Sequence, residues 1–326
     1  MFSYRSLLKQ ALTIAWKHKY LWVCGLFASL VASSGSWEYK ILTENLNQNM
    51  AGGSYYKLNG FITVGEVIKN FFLGFKDMFQ YDAVAVLNAL TLILITAIIL
   101  IIFVWLAITS QAALVSSVKK IASAKKKETT LSLRTEIAIG SRHFWPVLGL
   151  NLLTKILISV AFFIIGLPLL FLIIRDSGFA ATLYTILFVI FIPVATGLGL
   201  MLKYAIAYKV LEDASFVKSI KKGWKLFMKN WLVSLEMAII LFLISLIASG
   251  LVLGILFLAL MPLLLLGLIF NAVWLITFVT LIAIIVIVLI GSLLTTFQVA
   301  TWTSLFLRLR EKGAAAKLER LFGRRR

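Results

Sequence analysis

The sequence predicts an all-α integral membrane protein with about six transmembrane helices, arranged as three repeats of an in-plane helix followed by a helical hairpin. Hydrophobic residues make up 61% of the 326 residues and charged residues only 14%, whereas soluble domains are close to half apolar and a quarter charged. Apolar runs of about 20 residues, the length that crosses a bilayer, recur along the chain. Basic segments that contain aromatic residues precede three of these runs. We therefore expect a single polytopic membrane domain over residues 1–326.

Six apolar runs are candidates for membrane-crossing helices. The first of them is short, and the last is long enough to contain a re-entry. Pro262 and the uncharged residues after it, LLLLGLIFNAVW, predict a tight hairpin between the fifth and sixth spans. Seven or eight spans remain open if either of the two long runs divides. The six runs are 20–34, 83–117, 146–174, 179–202, 231–260 and 263 to about 307.

The distribution of basic residues predicts the orientation of the chain. The net charge is +19, from 32 Lys and Arg against 13 Asp and Glu. Basic loops are retained on the cytoplasmic side of a membrane. We therefore expect a protein of the cell (cytoplasmic) membrane with both termini in the cytoplasm. Most of the basic residues lie in segments 1–19, 119–142, 203–229 and 308–326.

A cleaved signal peptide is the alternative interpretation of the first span. Basic residues precede a short apolar run that ends in LVASSGS, a sequence that a signal peptidase could accept. The leader is long, however, it has a helical pattern, and it resembles two internal segments that are not signals. A retained first span is therefore the expectation, and whether it is ever cleaved stays open.

The basic segments form a motif that is clearest in its third copy. There, five lysines spaced 3, 1, 3 and 4 residues apart share one helical face, and apolar residues from Val217 to Trp231 occupy the other. Such a helix lies in the headgroup plane, and it bends near Asn230 to enter the bilayer. Two similar segments bend at His143 and near His18. The repeats predicted from this motif are 1–118, 128–210 and 214–308, and a basic tail follows over 309–326.

Two sets of side chains are the candidates for contact with lipid. Basic residues before the bends are expected to face the headgroups, and aromatic residues around the bends are expected at the interface. The basic set is Lys218, Lys221, Lys222, Lys225, Lys229, Arg142, Lys17 and Lys19. The aromatic set is Trp16, Trp22, Phe144, Trp145, Trp224 and Trp231.

Polar residues at membrane depth are a third set, because they are costly there and often functional. We consider an ion pair between Lys155 and Glu236, with snorkelling of both side chains to the headgroups as the alternative. In the outer loop, the apolar stripe over 61–79 predicts an in-plane helix that shields the bundle rim, or that acts as a gate or docking surface. The polar set is Gln111, Lys155, Lys203, Glu236 and Gln298.

The chain resembles a broad group of prokaryotic multi-pass proteins that includes the membrane domains joined to glycerophosphoryl diester phosphodiesterases. The resemblance is carried by ALTIAWKHKYL near the start, by LVSSVKK and LSLRTEIAIGSRHFWPVLGLNLL, and by VLEDASFVKSIKKGWKLFMKNWLVSL. It implies a helical bundle in the cytoplasmic membrane. It does not imply phosphodiesterase activity, because that chemistry belongs to a separate soluble barrel with paired histidines and metal-binding carboxylates.

The sequence favours a non-catalytic protein that organises or senses anionic membrane lipid, or anchors a protein partner, through its basic cytoplasmic helices. No nucleotide-binding, hydrolase or metal motif occurs, so we expect no cofactor and no metal. The single cysteine, Cys24, excludes an intrachain disulfide. The tail has no nucleic-acid-binding module. A transporter or channel for a small or amphipathic solute, lined by Gln111, Lys203 and Gln298, remains the alternative, and the oligomeric state stays open.

Overall fold

The structure is a computed structural model that describes residues 4–33, 69, 73, 83–123, 133–174 and 179–312. Within these residues the chain is helical and contains no strand, so the prediction of an all-α protein is confirmed. The helices are α1 (Tyr4–Lys17), α2 (Tyr20–Ser33), α3 (Ala83–Ser123), α4 (Leu133–Arg142), α5 (Phe144–Ile174), α6 (Phe179–Glu212), α7 (Phe216–Lys229), α8 (Trp231–Ile269) and α9 (Val273–Lys312).

Five of these helices, α3, α5, α6, α8 and α9, are long and apolar enough to cross a membrane. The first predicted span, α2, has 14 described residues, fewer than the roughly 20 that a crossing needs. The count of six spans and the threefold repeat therefore stay predictions. The outer helix predicted over 61–79, apart from the helical Lys69 and Leu73, and the tail beyond Lys312 lie outside the described residues.

The hairpin between α8 and α9 turns within the predicted stretch 262–274 but near its end, so the predicted span limits at 260 and 263 are wrong. Pro262 lies inside α8, and the turn falls at 270–272. There Asn271 has a φ of 47°, a left-handed conformation that asparagine tolerates better than most residues. The amide of Ala272 donates to the carbonyl of Gly267 at 2.8 Å, which closes the end of α8. The turn therefore forms where the backbone can reverse and not at the proline.

The chain divides into two compact units, of which the first comprises residues 1–31, 106–151 and 199–326. Its core lies at the basic ends of the long helices, where short helices α1 and α7 pack against them. At its centre, the buried Tyr204 hydroxyl lies 2.7 Å from Ser234 Oγ. Fully buried side chains of this core include Leu7, Leu21, Leu114, Met237, Leu305 and Phe306.

The second unit comprises residues 32–105 and 152–198. Within it, the buried rings of Phe162 on α5 and Phe191 on α6 meet edge to face, with centroids 5.8 Å apart. The part of α3 in this unit exposes a long series of apolar side chains, from Leu87 to Trp105. Exposed apolar surface of this extent is unfavourable in water and suits contact with lipid tails.

Candidate functional site

Three short helices, α1, α4 and α7, each end at an elbow that leads directly into an apolar helix. The elbow between α1 and α2 has two residues, His18 and Lys19, and the other two elbows have one residue each, His143 and Asn230. All three elbows fall where the basic and aromatic residues of the repeated motif predict a bend. In all three places a short helix is thus followed, after a break of one or two residues, by an apolar helix.

The two single-residue elbows are held by the same hydrogen bonds. Asn230 Nδ2 donates to the carbonyl of Leu226 at 3.1 Å, and His143 Nδ1 lies 3.1 Å from the carbonyl of Ile139, four residues back in both cases. The elbow carbonyl in turn accepts from the amide four residues ahead, 3.0 Å away at each elbow. These bonds satisfy backbone groups that a helix end leaves open and fix the direction in which the next helix starts.

Helix α7 presents three different faces. One face, formed by Ser219, Gly223 and Leu226, is buried. Successive residues of a helix point about 100° apart. A second face, of exposed apolar side chains that include Trp224, therefore lies about 120° around the helix from the buried face. The third face carries the lysines. The sequence analysis recognised the basic and apolar faces but not the buried one.

The buried face of α7 packs closely against α6. A Cβ atom at Gly223 would lie 2.9 Å from the amide nitrogen of Ala205 and 3.1 Å from its Cα atom. Only glycine permits this approach of helix to backbone. Ser219, one turn earlier, is fully buried and donates to backbone carbonyls. The signal in the sequence is therefore a pair of small residues four positions apart.

Helices α1 and α4 are docked in comparable ways. On α1, Leu7 and Ala11 are buried, whereas Trp16 on another face is 62% exposed. On α4, Glu136 and Gly140 are buried, and a Cβ atom at Gly140 would overlap the carbonyl oxygen of Thr109. Each short helix is thus fixed to the first unit by one face and leaves its other faces exposed.

Most of the predicted headgroup-facing residues are exposed. The exception is Lys222, which is half-buried, since its Nζ atom lies 2.7 Å from Glu212 Oε2 and 5.3 Å from the Tyr208 ring centroid. Arg310 Nε also contacts Glu212, at 3.0 Å. Lys222 therefore joins α7 to the end of α6, where Glu212 also contacts Arg310 of α9. The exposed members of the set are Lys218, Lys221, Lys225, Lys229, Arg142, Lys17 and Lys19.

The predicted interfacial aromatic residues divide into two groups. Trp22 is half-buried and donates from Nε1 to the carbonyl of Ala15 at 2.7 Å, which braces the first elbow. Phe144 is also half-buried, and its ring centroid lies 5.2 Å from that of the exposed Trp145. The exposed group is Trp16, Trp145, Trp224 and Trp231.

The polar residues predicted at membrane depth have separate partners. Gln111 Oε1 accepts from Asn151 Nδ2 at 2.9 Å, which links α3 to α5. Gln298 Nε2 donates to Ser245 Oγ at 2.9 Å, which links α9 to α8.

The remaining three polar residues differ in setting. Lys203 is exposed, and its ammonium lies 4.4 Å from the Trp302 ring centroid. Glu236 accepts a hydrogen bond from the Tyr4 hydroxyl of α1. Lys155 is half-buried, and its pairing with Glu236 stays a prediction.

Two titratable groups near the elbows have shifted pKa values. Partial burial, followed by the charge of Lys17, lowers the pKa of His18 below its usual value. The His18 imidazole is therefore neutral at neutral pH and adds nothing to the basic face. Asp213, which is exposed, has a lowered pKa mainly because it accepts a hydrogen bond from Lys209 at 2.9 Å. His143 Nε2 lies 3.7 Å from the same carboxylate.

Within the described ranges, no three His, Cys, Asp or Glu side chains are grouped closely enough to hold a metal ion. Comparison of the chain with protein families, with curated proteins and with solved structures finds no match. The candidate site is therefore defined by its own geometry, as a set of exposed basic and aromatic side chains on helices that are fixed to the core.

Proposed function

We propose that this chain is a non-catalytic, multi-pass protein of the cytoplasmic membrane that organises or senses anionic lipid through the exposed basic faces of α1, α4 and α7. The three faces of α7 carry the proposal. A helix that is docked by one face, with an exposed tryptophan, Trp224, beside exposed lysines, is suited to the boundary between lipid tails and headgroups. Six spans in three parallel repeats, with both termini in the cytoplasm, belong to the same proposal.

The lysines of α7 provide the attraction to anionic lipid. Each basic residue near an anionic surface contributes about 1 kcal/mol. Lys218, Lys221, Lys225 and Lys229 are exposed, and within the described part of the chain no carboxylate forms an ion pair with any of them. Their charge is therefore available to headgroups. The same face could also hold an acidic protein partner at the membrane.

The transport alternative has less support. It requires Gln111, Lys203 and Gln298 to line one continuous path. Their recorded contacts instead lie between three different helix pairs, with Asn151 on α5, Trp302 on α9 and Ser245 on α8. Side chains that satisfy one another across helix pairs are typical of packing in a membrane bundle. The resemblance to phosphodiesterase-linked membrane domains enters this proposal as a likeness of architecture alone.

The first test measures lipid selectivity with the full chain in mixed vesicles of neutral and anionic phospholipid. Energy transfer from the native tryptophans to a labelled lipid reports which lipid surrounds the protein. We expect enrichment of the anionic lipid at low salt and a clear decrease at 0.5 M salt, where the screening length falls to a few ångströms, about 4 Å. Replacing Lys218, Lys221, Lys225 and Lys229 by glutamine should remove most of this enrichment.

The matched control is Lys222→Gln, which removes one lysine of the same helix that is already held by Glu212. This variant should keep the anionic enrichment close to that of the unaltered chain. Equal enrichment of both lipids around the unaltered chain at low salt would contradict the proposal. If the anionic enrichment persisted in the four-lysine variant, other parts of the molecule would be responsible for the enrichment, and the role of α7 would be contradicted.

A second experiment tests the orientation. Cys24 is buried, so a Cys24→Ser background allows single cysteines to be added as labels. Lys218→Cys should react with a membrane-impermeant maleimide only when the cytoplasmic face is open to the reagent. Trp274→Cys, which follows the hairpin between α8 and α9 and is 73% exposed, should react from the other side. Labelling of both positions from one side would contradict the proposed topology.

A further inference from the structure

A groove of about 410 Å³ runs along the polar side of α1 near the end of α3, within the first unit. Arg308 of α9 contacts two of its lining residues, since Nη1 lies 3.1 Å from Ser6 Oγ and Nη2 lies 3.3 Å from Gln10 Oε1. Helices α1 and α3 therefore line the groove, and Arg308 of α9 lies at its edge through these two contacts. The lining residues are Ser6, Lys9, Gln10, Thr13, Ile14 and Ile121.

The groove has the chemistry of a phosphate site. Lys9 supplies an ammonium, and Arg308 supplies a guanidinium whose two recorded contacts use only part of its donor capacity. Thr13 lies one helical turn after Lys9, so the two side chains share a face. No acidic residue is among the described residues that line the groove. The Thr13 hydroxyl donates to the Lys9 carbonyl at 2.8 Å, so the anion contacts come from the two cations. Cations without a competing carboxylate favour an anion with several oxygen atoms.

The groove also has an apolar part. The half-buried Ile121 of α3 supplies most of it, since Ile14 of α1, which also belongs to the lining, is only 4% exposed. A small inorganic ion makes no use of such surface, whereas the glycerol and first acyl carbons of a phospholipid would lie against it. The exposed Leu12 and Trp16 lie on the adjacent face of α1, the side that the proposed in-plane orientation turns toward the bilayer.

We propose that this groove binds the phosphate of one anionic phospholipid headgroup, with Lys9 and Arg308 as its cationic contacts and with the lipid carbons against Ile14 and Ile121. The inference rests on the proposed function and deepens it. The α7 face attracts anionic lipid as a population, whereas the groove holds a single molecule. Binding here is expected to be stoichiometric and to depend on individual side chains.

The test is a native mass-spectrometry titration of the full chain in detergent with phosphatidylglycerol, which resolves the first bound lipid from later ones. We expect Lys9→Gln to weaken the first binding step about tenfold, as loss of one charge-assisted contact implies. Lys9→Arg, which keeps the charge and the donors, should restore it. The matched control is Lys17→Gln, an exposed lysine on α1 that is not among the groove's lining residues. It should leave the first step unchanged.

Two results would overturn the proposal that the groove binds one phospholipid. One is an unaltered affinity for the first lipid in Lys9→Gln. The other is an equal loss of that affinity in Lys9→Gln and Lys17→Gln, which would mean diffuse attraction.

Glycerol 3-phosphate is the probe for a soluble source of the phosphate. If it binds in a Lys9-dependent way while the lipid does not, the lipid assignment is overturned. The vesicle measurement separates the two proposals, because Lys9→Gln should leave the enrichment nearly intact. Anionic enrichment in vesicles without a distinct first lipid-binding step in the titration would refute the proposed groove site and leave the proposed function standing.

Discussion

Gly25→Ala, Gly140→Ala and Gly223→Ala are each expected to lower the thermal stability of the protein, whereas Gly254→Ala and Gly291→Ala are expected to raise it slightly. All five positions lie within helices. Alanine is preferred to glycine inside a helix by about 0.5–1 kcal/mol. The sign of each change therefore depends on whether a neighbouring helix occupies the place of the new methyl group.

At the three destabilising positions, the methyl group would meet backbone or buried atoms. A Cβ atom at Gly25 of α2 would overlap the carbonyl oxygen of Ser292 and Oγ1 of Thr296, both on α9. The Ser292 carbonyl belongs to a helix and cannot rotate away. Overpacking of this kind costs about 1–3 kcal/mol, which exceeds the gain in helix propensity. At Gly254 and Gly291, no atom lies within 4 Å of the new methyl.

The measurement is the apparent midpoint of thermal unfolding in detergent, followed by the loss of the monodisperse peak in size-exclusion chromatography. Gly291→Ala is the closest control for Gly25→Ala, because it adds the same methyl group to α9 one residue before Ser292, on a different face of the helix where no atom lies within 4 Å. A stability of Gly25→Ala equal to that of Gly291→Ala would refute the close approach of α2 and α9. Gly223→Ala should also reduce anionic enrichment in vesicles, since it moves α7 away from its position on α6.

The helices and their elbows could be predicted because their signals are local. Apolar length identifies the crossing helices, and basic and aromatic residues mark His143 and Asn230 as bends. The buried face of α7 could not be found in this way. Periodicity shows which residues share a face, but it does not show that a face with Ser219 and Gly223, neither of them strongly apolar, is the one that packs.

The missed details depend on contacts between distant parts of the chain. Lys222 has the spacing of the other α7 lysines, yet it differs from them because the end of α6 brings Glu212 within 2.7 Å. Pro262 is a strong turn signal in water, where a helix end is readily solvated. In an apolar environment the chain keeps its helical hydrogen bonds, and the turn forms later, where Asn271 adopts a positive φ.

Lys120→Met is expected to destabilise the protein by about 2 kcal/mol, because it leaves a buried carboxylate without its counterion. The Glu136 side chain of α4 is 1% exposed, and its Oε1 atom lies 2.6 Å from Lys120 Nζ. Its other oxygen accepts from Ser117 Oγ at 2.9 Å. Breaking a fully buried pair by removing one partner costs about 3–5 kcal/mol. Since the Lys120 side chain is 39% exposed, water reaches part of the pair, and the cost is correspondingly smaller.

The destabilisation has a specific rescue. Glu136→Gln added to Lys120→Met removes the uncompensated charge while keeping the size of the side chain, so the double variant should be more stable than Lys120→Met alone. Lys209→Met is the matched control, because the Lys209 side chain is 14% exposed but its partner Asp213 is 80% exposed, so water solvates the carboxylate that is left without its counterion. Thermal unfolding of the unaltered chain, Lys120→Met, Glu136→Gln and the double variant measures the coupling, and Lys209→Met is compared with Lys120→Met. If the double variant were less stable than Lys120→Met, the Glu136 carboxylate would be favourable without Lys120, and Ser117 would have to be the contact that holds α4 to α3.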